Sequence, residues 1–222
     1  MTAEEKKQVA SLDLALEAEA YKGTRKFLVT VVSLLIRLFY RPQVEGLENI
    51  PSSGPYYLVG NHQSLLDVLF VHPYIPQNVN WLAKGELFCK PIVGEVIRRM
   101  GAIPVDREGV DVRSVKACFS RLRANAVVGL FPEATRIPLA RQGQVFPKNA
   151  VVELLARPDV PILPFAIQGP IRIFRKTKIV FGKCFELPVK GNRRRMDDEE
   201  ASSIGRLIME KIYSLIGKSI SK

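Results

Sequence analysis

The residues of this chain best suited to acid–base chemistry are His62 and Asp67, which stand five positions apart. The chain contains only two histidines, so few positions can provide an imidazole. Because histidine titrates near neutral pH, its ring can take a proton from an alcohol. A carboxylate bonded to the other ring nitrogen fixes the tautomer and stabilises the imidazolium that forms. The pair therefore predicts a general base held by an acid.

The chain must turn between these two residues for their side chains to meet. A continuous helix would separate residues five apart by roughly 140° around its axis. We therefore expect His62 on a loop and Asp67 in the first turn of a helix. A purely structural interpretation also fits, in which Ser64 caps that helix and Asp67 reaches back to its backbone. The catalytic and the structural interpretation are compatible, because a cap can hold the carboxylate in place. Asn61 and Ser64 are predicted to support the pair.

A second polar group follows the continuous apolar run at 127–131, which is typical of a buried strand. Arginine presents a planar fork that matches phosphate oxygens two at a time. Glu133 would repel a phosphate, so we expect it to orient Arg136 or the loop backbone. The alternative is that each cation is an ordinary surface residue, since the chain has 33 lysines and arginines. The candidate phosphate ligands are Lys84, Arg107, Thr135 and Arg136.

Apolar strand patterns alternate with helical patterns along the chain, which predicts an α/β fold with a mostly parallel central sheet flanked by helices. Ligand sites in such sheets lie at the carboxyl ends of the strands. Each candidate residue above follows a predicted strand, so we expect all of them along one edge. The predicted strands lie within 42–50 and near 56–60, 79–83, 102–105, 127–131, 161–167 and 178–185, and the predicted helices near 65–71, 92–100, 112–126, 148–156 and 197–216.

The N-terminal segment predicts a helical element. Residues 1–22 are charged and rich in alanine, with a helix expected to end near Gly23, and Phe27–Tyr40 is strongly apolar. A membrane span needs roughly 20 apolar residues, more than this run provides. The run is either a buried core helix or a helix dipping into one leaflet.

Flanking cations favour the leaflet, because their charged ends could reach lipid phosphates while their stems stay in apolar surroundings. These cations are Arg25, Lys26, Arg37 and Arg41. We therefore predict a membrane-docking segment at 1–41 and an α/β domain at 42–222 that ends in an amphipathic helix.

The formal net charge of +11 favours an anionic partner. An acidic membrane or a phosphorylated substrate fits better than nucleic acid, because the chain lacks the motifs of nucleic-acid-binding domains. The three cysteines are far apart, so no disulfide framework or metal cluster is expected. These features predict reduced thiols, no metal, and a location at the cytoplasmic face of a membrane, as a monotopic or peripheral protein.

Four segments in order resemble the glycerolipid acyltransferase family, which includes enzymes that make phosphatidic acid from lysophosphatidic acid. The resemblance extends from about Val44 to Glu186. The chain departs from the family at Ala134, where glycine is usual, at Ile137, often a serine, and at Asn149, a usual glycine. If the site of Ala134 needs a positive φ, we expect the phosphate loop to differ here. The resembling segments are 61–67, 101–107, 131–136 and 160–164.

The resemblance implies transfer of a fatty acyl group from coenzyme A or acyl carrier protein to the 2-hydroxyl of 1-acylglycerol 3-phosphate. It implies that His62 is the base, that Asp67 holds it, and that Arg136, with Arg107 and Lys84, binds the phosphate. No cofactor is needed besides the acyl carrier as co-substrate. Three alternatives stay open: another lyso-lipid or glycerol 3-phosphate as acceptor, a hydrolase using Ser64, and a non-catalytic lipid-binding protein. No Gly-x-Ser-x-Gly elbow surrounds Ser64, which disfavours the hydrolase.

Overall fold

A computed structural model describes residues 22–105, 111–188 and 196–221. The described chain forms seven strands and seven α-helices, with four short 3-10 helices between them. The strands are β1 (Gln43–Glu45), β2 (Tyr56–Gly60), β3 (Val79–Lys84), β4 (Ile103–Val105), β5 (Val127–Leu130), β6 (Ile162–Gln168) and β7 (Lys178–Phe181). The helices are α1 (Lys22–Tyr40), α2 (Asp67–Val71), α3 (Gly85–Phe88), α4 (Pro91–Arg99), α5 (Val112–Arg123), α6 (Asn149–Ala156) and α7 (Asp198–Tyr213).

All seven strands join one sheet in the order β1-β7-β6-β2-β5-β3-β4. Every neighbouring pair is parallel except β6 and β7, so the predicted mostly parallel α/β fold is confirmed. The carboxyl ends of β6, β2, β5, β3 and β4 therefore share one edge of the sheet. We call this end of the sheet the catalytic edge, after the acid–base chemistry predicted for His62, which follows β2 there. The amino end of β7 and that of β1 meet the same edge.

Helices cover both faces of the sheet, which is why its central strands are buried on both sides. Alternate residues of β2 point to opposite faces, as the period of a strand requires. Tyr57 and Val59 pack into a core with residues of α5, α6 and α7. Tyr56 and Leu58 pack into a second core with residues of α1 and α2. Because helices pack on both faces, the sheet is accessible to a ligand at the ends of its strands.

Helix α1 differs from the expectation in two ways. It runs through Gly23 from Lys22, so the predicted helix end near Gly23 is wrong. A glycine inside a helix costs only about 1 kcal/mol, which packing of the helix can offset. Arg25 is buried and donates to the backbone oxygen of Arg99, so its expected contact with lipid phosphates is also wrong.

One face of α1 packs on the domain, and Ile36 is buried in the second core. The other face is exposed, so α1 is only partly buried. Within the described ranges, no helix combines the length and apolar character that crossing a membrane requires. Residues 1–21 lie outside the described residues, and the domain boundary at residue 41 stays a prediction.

The remaining predicted elements are present, with ends shifted by a few residues. Helix α3 was not predicted, because four residues are too short to show a helical period. Asn149 begins α6 and does not adopt the left-handed conformation considered for it.

Candidate active site

The segment between β2 and α2 carries His62 and is fixed at its start by Asn61. The Asn61 side chain is fully buried, donates to the backbone oxygen of Ile167 at 3.0 Å and accepts from its amide at 2.8 Å. These two bonds join the end of β2 to the neighbouring strand β6. The chain therefore leaves the sheet at a defined position and direction just before the histidine.

His62 and Asp67 meet across the turn that follows. His62 Nδ1 lies 2.8 Å from Asp67 Oδ2. The same carboxylate oxygen accepts from the backbone amides of Gln63 at 2.7 Å and Ser64 at 2.8 Å. Asp67 is fully buried and is the first residue of α2, whereas the His62 side chain is 18% exposed. Three donors converging on one oxygen hold the carboxylate in place next to Nδ1 of the imidazole.

The expected capping box is present only in part. Asp67 does reach back to the amide of Ser64. The Ser64 hydroxyl, however, accepts from the amide of Leu66 at 3.2 Å, and Leu66 occupies the cap position without a side-chain bond. The prediction that Ser64 caps the helix is therefore wrong, since a turn at Leu65 and Leu66 precedes α2.

The carboxylate sets the tautomer of His62. An ionised carboxylate only accepts hydrogen bonds, so Nδ1 carries the proton in the neutral ring. The lone pair is then on Nε2, which makes no hydrogen bond to any residue of the described ranges. An imidazole in this state can accept a proton at Nε2 and become an imidazolium that Asp67 stabilises.

The loop after β5 fastens the backbone on both sides of His62. Glu133 accepts from the His62 amide at 2.9 Å, and the amide of Ile137 donates to the His62 carbonyl at 2.7 Å. The other oxygen of Glu133 accepts from the Tyr213 hydroxyl at 2.5 Å. Glu133 thus orients a loop backbone, one of the two roles expected of it, and makes no described bond to Arg136. Ile137 is buried and meets His62 through its main chain.

Tyr213 was not found by sequence reasoning, because a tyrosine on the apolar face of α7 looks like any core residue. Burial and the neighbouring carboxylate raise the pKa of Tyr213, so its hydroxyl stays protonated and can donate. Burial also raises the pKa of Glu133. Through this carboxyl group the C-terminal helix contacts the His62 loop.

Ala134 adopts a φ of +54°, in the left-handed region. The sequence prediction was that the loop must differ if this site needed a positive φ. Ala134 itself takes up this conformation, and its amide closes a turn with the oxygen of Phe131 at 2.9 Å. A difference from the loop of the family stays a prediction, and the Cβ of Ala134 costs local strain.

An aromatic stack lies behind the imidazole and was not predicted. The His62 ring stacks on Phe131, with centroids 4.1 Å apart and planes at 15°. Phe131 stacks on Trp81 at 5.2 Å. The Trp81 indole donates to Nδ1 of the second histidine, His72, at 3.3 Å. Stacking on Phe131 thus fixes the plane of the His62 ring.

The structure places three of the four candidate phosphate ligands at the catalytic edge. Thr135 and Arg136 are exposed on the loop after β5, and Lys84 is exposed at the end of β3, which pairs with β5. None of these three side chains is bonded to another described residue, so they are available to an anion. Arg107 lies outside the described residues, and its role stays a prediction. Across the described ranges, no group of histidine, cysteine and acidic residues could hold a metal.

A model of the family described as Acyltransferase matches residues 41–168, which include the histidine loop, Lys84 and the loop after β5. This chain belongs to the acyltransferase family. The resemblance seen in the sequence is confirmed at that level.

Curated relatives within the acyltransferase family share the matched region. A chloroplastic 1-acyl-sn-glycerol-3-phosphate acyltransferase of Brassica napus is 33% identical over 147 residues, covering 64% of this chain and 41% of that protein. A 1-acyl-sn-glycerol-3-phosphate acyltransferase of Bacillus subtilis is 28% identical over 162 residues, covering 69% of this chain and 77% of that protein. This chain thus spans about two fifths of the length of the chloroplast relative.

The crystal structure of a 1-acyl-sn-glycerophosphate acyltransferase from Thermotoga maritima has the same fold. It superposes with a TM-score of 0.61 at 24% identity, over 90% of this chain and 84% of that one. At this level of identity the likeness describes the architecture of the acyltransferase domain.

Proposed function

We propose that this chain transfers a fatty acyl group from a thioester to the 2-hydroxyl of 1-acylglycerol 3-phosphate, forming phosphatidic acid. The observation that carries the proposal is the 2.8 Å contact between His62 Nδ1 and Asp67 Oδ2 at the catalytic edge. Relatives named as 1-acyl-sn-glycerol-3-phosphate acyltransferases supply the acceptor class. Acyl-coenzyme A and acyl carrier protein are the two proposed forms of the donor.

In the proposed mechanism, Nε2 of His62 takes the proton from the acceptor hydroxyl as its oxygen attacks the thioester carbonyl. A carbon–oxygen bond forms and a tetrahedral intermediate carries the negative charge. The carbon–sulfur bond then breaks, and the imidazolium gives its proton to the leaving thiolate. Asp67 stabilises the imidazolium between the two proton transfers. His62 ends in its starting state, so no cofactor is consumed.

Binding of the acceptor phosphate is assigned to the exposed cations of the same edge. Arg136 offers two parallel donors to phosphate oxygens, and the Thr135 hydroxyl offers a third. Lys84 lies on β3, about 10 Å across the sheet from β2 because adjacent strands are about 4.8 Å apart. Arg107 completes the proposed set. These residues would fix the acceptor so that its hydroxyl reaches Nε2.

Docking at the cytoplasmic face of a membrane completes the proposal, because both substrates carry fatty chains. The exposed face of α1 is strongly apolar, and the chain has a net charge of +11. Such a helix can lie in the interface of a bilayer while lysine and arginine contact acidic lipids. The protein would then be peripheral or monotopic.

Thiol release from acyl-coenzyme A or acyl carrier protein, with and without lysophosphatidic acid, tests the reaction. We expect release only with the acceptor, and phosphatidic acid as the product in mass spectrometry. A panel with glycerol 3-phosphate and other lyso-lipids identifies the preferred acceptor. Release without any acceptor would indicate a hydrolase, and no release with any acceptor and donor would indicate a binding protein.

The substitution Asp67→Asn tests the role of the carboxylate. It removes the stabilisation of the imidazolium and the selection of its tautomer, so we expect kcat to fall on the order of 10²–10⁴-fold. Asp111→Asn is the matched control, because Asp111 caps α5 through the amide of Ser114 and asparagine caps equally well. An Asp67→Asn rate close to that of Asp111→Asn would refute the assignment.

A further inference from the structure

An exposed aromatic turn borders the catalytic edge between β6 and β7. The amide of Arg175 donates to the oxygen of Arg172 at 3.1 Å, which closes the turn. Ile173 is 56% exposed and Phe174 is 67% exposed at its tip. Phe174 has a φ of +59° at the third position, which favours glycine or asparagine in such turns. Both side chains thus project from the tip, and at position 174 a glycine or asparagine would be less costly than the phenylalanine present.

The turn is fastened to the end of α1. The amide of Phe174 donates to the oxygen of Phe39 at 2.6 Å, and the two rings lie 6.2 Å apart. Phe39 stands at the end of a row of exposed apolar residues whose spacing of three to four places them on one helix face. The turn therefore extends that face beyond the helix. The other members of the row are Phe27, Val31, Leu34, Leu35 and Leu38.

Three exposed cations flank the tip of the turn: Arg172, Arg175 and Lys176. None of them forms an ion pair with a residue in the described part of the chain. An apolar tip flanked by cations is complementary to a bilayer with acidic headgroups. The apolar side chains can enter the boundary of the acyl chains while the cations contact the phosphates. Attraction between these three cations and acidic headgroups therefore favours an acidic membrane as the binding partner of the turn.

The base of the turn is connected to the histidine loop. Gln63, which follows the candidate base, donates to the oxygen of Gly169 at 2.8 Å. Gly169 follows β6, the strand beside β2. A membrane bound by the turn would therefore lie next to the histidine loop, at the edge where a lipid acceptor would enter.

We propose that Ile173 and Phe174 insert into the same leaflet as the exposed face of α1, while Arg172, Arg175 and Lys176 bind acidic headgroups. The turn holds the catalytic edge against an acidic bilayer. This inference rests on the proposed function, because only a lipid substrate requires that orientation. Vesicle binding needs no turnover, so a failure of docking is separable from a failure of acyl transfer measured in detergent.

The first test is binding to vesicles of phosphatidylglycerol and phosphatidylcholine, by flotation. Phe174→Gly removes the ring and favours the positive φ, so the fold is retained, which thermal melting checks. We expect vesicle affinity to fall roughly 10- to 100-fold, since burial of one such side chain is worth about 1.5–3 kcal/mol. Leu47→Ala is the control, because Leu47 is 47% exposed after β1, at the opposite edge of the sheet.

The second test places a reporter in the turn. The chain has a single tryptophan, Trp81, which is buried in the core. Phe174→Trp is expected to bind as the unmodified chain does, and its emission should be quenched by vesicles with brominated acyl chains. The unmodified chain, with Trp81 alone, gives the background.

The third test replaces Arg172, Arg175 and Lys176 by glutamine. We expect affinity for acidic vesicles to fall about fivefold for each charge, with little change for neutral vesicles. Unchanged binding by Phe174→Gly, or no quenching of Phe174→Trp, overturns the proposal. A change in oligomeric state without a change in vesicle binding also overturns it, since a second copy would then cover the turn.

Discussion

The two histidines contact opposite ends of the Phe131–Trp81 stack, yet they differ in their hydrogen-bond partners and in their burial. His62 contacts a carboxylate through Nδ1, and its ring is partly exposed. His72 accepts a hydrogen bond at Nδ1 from the indole of Trp81 and is buried. In its neutral ring the proton is therefore on Nε2. The two imidazoles thus hold opposite tautomers.

This difference shows that the partner of the ring decides its chemistry. A carboxylate next to His62 stabilises a positive charge on the ring. Burial, and secondarily Arg25, lower the pKa of His72 to about 4, so that ring stays neutral at pH 7. These surroundings suit His62 to the proposed proton transfer, whereas the neutral His72 is part of the packed interior.

Substituting each histidine in turn gives the largest expected difference in kcat. His62→Ala should lower kcat roughly 10²–10⁴-fold, because general-base catalysis is lost. His72→Gln should retain a rate close to that of the unmodified enzyme, since glutamine is neutral and can accept from Trp81. Acyl transfer measured for both variants, with thermal melting as the check on folding, decides the comparison. Equal losses of rate would mean that the stack acts as a unit.

The pH dependence of stability tests the neutral state of His72. Its pKa is about 4 in the fold against an ordinary value of 6.5, so the unfolded chain takes up the proton first as pH falls. Stability should therefore decrease between pH 6.5 and 4, by about 3 kcal/mol at most. Denaturant unfolding of the unmodified chain and of His72→Gln, compared across this range, isolates that contribution. Parallel curves for the two proteins would contradict it.

The substitution Tyr213→Phe tests whether the position of His62 depends on the C-terminal helix. In this variant Glu133 still accepts from the His62 amide but loses the donor to its other oxygen. The free energy of unfolding should fall by about 1–3 kcal/mol, because the carboxyl group is buried. We also expect kcat to fall, because Glu133 holds the backbone of the base. Tyr57→Phe is the control, since the Tyr57 hydroxyl donates to the oxygen of Leu154 away from the site. It should lower stability without changing kcat, and the same rate for both variants would argue against a role for Tyr213 in positioning.

The smallest effect concerns strain beside His62. Ala134→Gly should raise the free energy of unfolding by about 0.5–1 kcal/mol, because glycine adopts the observed φ of +54° without a clash of its Cβ. Ala117→Gly, inside α5, should lower it by a similar amount. Chemical denaturation measures both. If the two substitutions change stability in the same direction, the loop is not strained at Ala134.

Hydrophobic patterns along the chain predicted most of the fold. The buried run 127–131 and the alternation of strands and helices were enough for a mostly parallel sheet, because burial on both faces leaves an apolar signature. The same topology placed Lys84, Thr135 and Arg136 along one edge. Helix α3 and the continuation of α1 through Gly23 were missed, since short helices have no period and glycine is only a weak helix breaker.

The sequence by itself determined that a histidine and an acid stand beside a strand end, and which family the chain resembles. Spacing along the chain carries this information, because local turns bring residues five apart together. Only the tertiary structure decided that Tyr213 reaches Glu133 across 80 positions and that Phe131 and Trp81 connect the two histidines. Those contacts arise when separate elements pack on the sheet, and no local pattern records which distant side chain fills a given space.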